Sequence, residues 1–74
     1  MKLFSVYLNN GKEYEDEDSK VILIVAENED IANVRAKEML DKTYEANKIY
    51  GNKPYFYVEE ISEVDGYKII VESK

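Results

Sequence analysis

Seventy-four residues with 45% hydrophobic and 35% charged content bound this chain to one small globular domain, near the size where a single core only just suffices. It has no cysteine and no histidine, which excludes disulfides, thiolate metal sites and the commonest general base. A net charge of −6 with one arginine argues against direct nucleic-acid binding, which needs a basic face.

Leu3-Phe4-Ser5-Val6-Tyr7-Leu8 reads as a first strand, with Phe4, Val6 and Leu8 sharing a face by period two. The beginning of the chain carries one lysine and reaches the polar Asn9-Asn10-Gly11 too soon for a signal peptide. No apolar run approaches the roughly 20 residues of a membrane span, so a cytoplasmic location and no membrane partner are expected. Asn9-Asn10-Gly11 is turn chemistry, and the hairpin closes either there or across the whole following stretch to Ser19.

That stretch holds Glu13-Tyr14-Glu15-Asp16-Glu17-Asp18, five of the chain's sixteen carboxylates. Without them the chain would carry a single net negative charge, so the acidity is local. Such a block can dock on a basic patch of another protein, with Tyr14 as an aromatic contact, or simply face water and discourage edge aggregation. A calcium loop does not fit. Asp16, Asp18 and Glu27 match the first, third and twelfth positions, but Val21 stands where the loop requires glycine.

Lys20 to Ala26 reads as the second strand. Its unbroken Val-Ile-Leu-Ile-Val run suggests a central strand, or one covered on both faces. Asn28 is a good helix N-cap, and Glu29 and Asp30 suit the positive end of the helix dipole. Ala32, Ala36, Met39, Leu40, Thr43, Ala46 and Tyr50 then recur on one side, so a helix running to Ile49, about 30 Å long, is expected, with Gly51 as its stop. On its outer arc Glu38, Asp41 and Glu45 step by three and four residues and could extend an acidic surface. Lys37 and Lys48 border that arc, and Lys42 pairs with Glu38 in the ordinary helix-stabilising sense.

Tyr55 to Ile61 reads as a third strand. Asp65-Gly66 signals a hairpin leading into a fourth, Tyr67 to Val71. The order ββαββ predicts an α+β domain, one helix on a four-stranded, mostly antiparallel sheet.

One helix covers one face of such a sheet, yet the strands are apolar in both parities. An open face carrying Ile22, Ile24, Tyr55, Tyr57 and Ile70 would be an apolar patch of the kind that marks an interface, most simply a twofold homodimer. Catalysis is not expected. Glu59 and Glu60 are adjacent in a strand and point to opposite faces, and no phosphate loop, nucleophile elbow or metal spacing occurs, so no cofactor is implied.

The passage from Val21 through Ala26-Glu27-Asn28-Glu29-Asp30-Ile31-Ala32 to Ala36 and Leu40 resembles a pattern in small proteins of phages and conjugative elements, including the DpnD/PcfM-like proteins. In size, acidity and expected dimerisation the chain is also similar to phage DNA-mimic inhibitors of the histone-like protein HU. These resemblances imply a small acidic inhibitor of a basic host protein, such as a nucleoid protein, and no site residue carries over from them; the charge pattern itself points to Glu13 to Asp18, extended by Glu38, Asp41 and Glu45, as the docking surface. The alternative is an accessory homodimer acting through its apolar sheet face, its acids serving solubility alone.

Overall fold

The computed structural model describes residues 1–12, 17–44 and 53–72. Three long strands form one sheet: β1 (Lys2–Asn9), β2 (Ser19–Ala26) and β3 (Tyr55–Glu60), in the order β2-β1-β3. Both neighbours run antiparallel to β1, so β2 and β3 run parallel to each other with β1 between them. The helix α1 (Glu29–Thr43) makes the crossover. A separate two-stranded ribbon, β4 (Glu63–Val64) and β5 (Tyr67–Lys68), follows.

The fold is α+β with one helix and antiparallel pairing, as expected, but the main sheet has three strands. The expected fourth strand contracts to the two residues of β5, which pair only with β4. Asp65 (φ 57°) and Gly66 (φ 80°) both take positive φ, the geometry that a tight Asp-Gly hairpin turn needs.

The central strand is β1, not β2. Phe4 pairs with Ile24 on one side and Glu60 on the other, and Val6 pairs with Ile22 and Val58. Even-numbered residues therefore face even-numbered residues throughout. This places Phe4, Val6, Leu8, Ile24 and Ala26 on one face, where α1 covers them with Ala32, Ala36, Leu40 and Tyr44. Ile22, Met39, Phe56 and Val58 pack around that core half-buried. Phe4, Val6 and Leu8 are fully buried, each contributing about 1.5–3 kcal/mol of apolar transfer free energy. The alanines let the helix axis approach the sheet closely.

Asn28 caps α1 as its sequence predicts: its Oδ1 accepts from the Ile31 backbone N–H at 2.9 Å. The described helix ends at Thr43. Tyr44 is the C-cap, its N–H donating to the Leu40 carbonyl at 2.9 Å. The expected continuation to Ile49, with Ala46 and Tyr50 on its apolar side, lies outside the described residues. Next to Leu40 it is Tyr44, not Thr43, that is buried.

The β1–β2 hairpin closes across the whole acidic stretch. Asn9 pairs with Ser19, and the Asn10 N–H donates to the Asp18 carbonyl at 3.0 Å. Asn9 and Asn10, both buried, each fold back on the chain, their Oδ1 atoms accepting from the N–H groups of Gly11 and Lys12 at 2.8 and 3.0 Å. Gly11 has φ 78°, and a Cβ there would lie 2.3 Å from the Lys53 carbonyl oxygen. The neck of the acidic loop is thus wedged against the segment leading into β3, where only glycine fits.

Candidate functional site

The face of the sheet opposite α1 has no covering element among the described residues. By the strand register it carries Leu3, Ser5 and Tyr7 from β1, Val21, Leu23 and Val25 from β2, and Tyr55, Tyr57 and Glu59 from β3. Val21 and Leu23 are 68% and 61% exposed, and Tyr57 is 66% exposed.

Three of the tyrosines form one cluster. The Tyr7 and Tyr57 rings stack, with centroids 6.0 Å apart and planes 20° from parallel. Tyr55 meets Tyr57 edge-on at 5.5 Å and Tyr7 at 6.2 Å. Beneath them Asn9 Nδ2 donates to the Tyr7 hydroxyl at 2.9 Å, fixing that ring from the strand side. The Tyr55 phenol is raised above its ordinary value by desolvation among the rings, then by the Tyr7 phenol, with smaller contributions from Tyr57 and the Glu17 carboxylate. The last of these locates Glu17 near the tyrosine corner, and the two residues line one shallow depression with Asn9, Gly11, Lys12 and Lys53.

The structure corrects the expected apolar interface. Ile24 is 6% exposed and sits under α1, and Ile22 points to that same covered face. Tyr55 and Tyr57 are on the open face. Ile70 is 73% exposed but follows β5, outside the main sheet. The residues that join the tyrosines are Tyr7, Val21 and Leu23. Period two from Phe4, Val6 and Leu8 already put Tyr7 on the opposite face. The all-apolar run of β2 does not show its parity; the hairpin register sets it.

The acidic candidates separate. Glu13, Tyr14, Glu15, Asp16 and Glu45 lie outside the described residues. Glu17 is exposed beside Tyr55, whereas Asp18 is engaged by α1: the Tyr44 hydroxyl donates to its carboxylate at 3.0 Å. Burial, that hydrogen bond and the nearby Asp18 charge together push the Tyr44 phenol up to about 12. On the helix, Asp41 is held by Lys37 Nζ at 2.7 and 2.8 Å, while Glu38 is exposed. Glu38 and Asp41 therefore do not form a bare anionic ridge.

Glu59 faces the open side opposite Ser5. Glu60 is the partner of Phe4 in the ladder, with its carboxylate 3.7 Å from Lys2 Nζ. Among the described residues no group of three or more acidic side chains is placed to hold a metal ion, and no helix is long and apolar enough to cross a membrane.

No protein-family model, no curated protein and no solved structure matches this chain.

Proposed function

We propose that this chain is a small acidic interaction protein that docks a basic surface of another protein on the open face of its sheet. The observation that carries this is the tyrosine cluster of Tyr7, Tyr55 and Tyr57, exposed on a protein of net charge −6, with Glu17 at one corner and Glu59 on the same strand face. Stacked phenol rings flanked by carboxylates suit arginine or lysine side chains, which gain from ring faces and from the nearby negative charge. Glu13, Glu15 and Asp16 would add long-range attraction from the loop, raising the association rate and weakening as salt rises. A nucleic-acid-binding protein is the natural class of partner, because its basic surface is already exposed. Inhibition by occupying that surface would then follow without any catalytic step.

The test is titration with an arginine-rich peptide at low and high salt, followed by tyrosine fluorescence. Tyr57→Ala should weaken binding several-fold. Neutralising Glu13, Glu15, Asp16, Glu17 and Asp18 together should remove most of its salt dependence. Equal affinity for all three proteins at low salt would defeat the proposal.

A second reading is favoured by the exposure of Val21 and Leu23: an accessory protein whose apolar sheet surface meets its partner, with the acids keeping it soluble. Leu23→Glu then abolishes partner binding while the five-acid variant retains it.

A further inference from the structure

The outer edge of β2 is eight residues long and, among the described residues, borders no other strand. The Ile61 N–H donates to the Leu3 carbonyl, so the backbone groups of Leu3, Ser5 and Tyr7 point toward β3, and those of Phe4, Val6 and Leu8 point toward β2. In β2 the residues opposite these, Ile24, Ile22 and Lys20, spend their backbone groups on β1. Val21, Leu23 and Val25 turn theirs outward. One of these groups is already taken: Arg35 Nη1 reaches from α1 to the Val25 carbonyl at 2.6 Å. The N–H and C=O of Val21 and Leu23 remain directed at the bare edge.

We infer that this edge pairs with the same edge of a second copy, antiparallel about a twofold axis at Ile22, to give a continuous six-stranded sheet. In this register Val21 of each protomer lies opposite Leu23 of its partner. Each such pair exchanges two backbone hydrogen bonds, so the four outward groups of both chains are all satisfied, and the ladder stops where Arg35 occupies Val25.

Three further observations select a second copy as the occupant. Ser19–Ala26 contains no carboxylate and one lysine, so two chains of net charge −6 approach along the main-sheet edge that repels less, whereas the β3 edge carries Glu59 and Glu60. Val21 and Leu23, exposed on the open face, would pack against each other across the seam as directly opposed pairs. Finally α1 packs most against β3, on the far side of the sheet from the β2 edge. Two protomers joined there keep their helices apart on the same face. An exposed apolar edge of this length is otherwise a hazard that proteins block with charge, proline or a covering element. This pairing is independent of any basic partner, since it uses neither the acids nor the tyrosines.

Sedimentation equilibrium should find a concentration-dependent species of twice the 8.6 kDa chain mass. Because the Leu23 N–H points outward, Leu23→Pro removes no bond of the protomer's own ladder. It should give a monomer whose far-ultraviolet circular dichroism is unchanged. Cysteine pairing reads the register independently of proline, in a chain that has no cysteine of its own. Opposed residues lie ~5.5 Å apart and diagonal ones about 7–8 Å apart. The double variant Val21→Cys/Leu23→Cys should form a disulfide-linked dimer on oxidation, and either single variant should not. A monomer at every concentration, a dimer that Leu23→Pro leaves intact, or cross-linking through Leu23→Cys alone would each overturn the Ile22-centred pairing.

Discussion

The Tyr44 hydroxyl donates to the Asp18 carboxylate across 3.0 Å, tying the C-cap of the helix to the end of the acidic loop. One member of the acidic run is therefore a structural brace. Tyr44→Phe keeps the ring in the core and deletes this bond together with the longer 3.4 Å contact to the Asp18 carbonyl, so the unfolding free energy should fall by about 1–2 kcal/mol. Urea denaturation checks this, and an unchanged midpoint would mean that the bond contributes nothing.

The same phenol sets an alkaline limit. Its value is raised in the fold from 10.0 to about 12, first by burial and then by the bond to Asp18. The neutral form is favoured by folding, so its contribution is complete below pH 10 and is lost as pH rises from there toward about 12. Stability measured over that window should decline in the natural chain, and the decline should be shallower in Tyr44→Phe, which has no proton to lose.

Gly11 and Gly66 share a positive φ but differ in surroundings. A Cβ at Gly66 meets nothing within 4 Å, so Gly66→Ala should cost only the left-handed backbone term, about 1–2 kcal/mol, felt in the β4–β5 ribbon. Gly11→Ala adds a collision with the Lys53 backbone, and should cost at least about 3 kcal/mol. Thermal unfolding of the two variants side by side tests the ranking; equal costs would remove the close contact at the loop neck.

Adjacent residues of β2 should respond in opposite ways to the same substitution. Ile24→Glu buries a carboxylate beneath α1, where it has no partner, and should destabilise the domain by more than about 3 kcal/mol, enough to unfold a chain of this size. Leu23→Glu places its charge in solvent on the other face. At concentrations where the chain is monomeric it should unfold within about 0.5 kcal/mol of the natural sequence. Circular dichroism distinguishes the two, and a folded Ile24→Glu would contradict the register of β1 and β2.

Asn28→Ala removes the side-chain acceptor that caps the start of α1 and should cost about 1 kcal/mol by the same denaturation assay. Asn28→Asp should recover it.

The local signals in the sequence translated well. Period two gave the face of β1, Asn28 gave the helix start, and Asp65-Gly66 gave a hairpin with both turn residues at positive φ. What failed was relational. Val21 to Val25 is apolar in both parities, so composition alone does not say which parity joins Phe4, and such a run suggests a central strand or one covered on both faces. Among the described residues it is an edge strand, with Val21 and Leu23 exposed on its uncovered face. Nor does periodicity specify which edge a following hairpin joins, which is why β5 was expected in the main sheet. Tyr44 escapes the periodicity because the helical stripe runs through its neighbour Thr43, whereas the chain leaves the helix at Tyr44 and turns that ring into the core.

The position of β1 also orders events during synthesis. Its first partner, β2, follows within one connection, but its second arrives only with Tyr55–Glu60, where Phe4 must find Glu60, 56 residues later in the chain. Until then the hairpin and the helix can associate, with β1 exposing one row of backbone groups and β2 another. Closing that late, non-local pairing should be the slowest step, which stopped-flow refolding of Val58→Ala against the natural chain checks. Substitutions in β3 should therefore harm the yield of folded protein on the ribosome more than their effect on the finished domain would suggest.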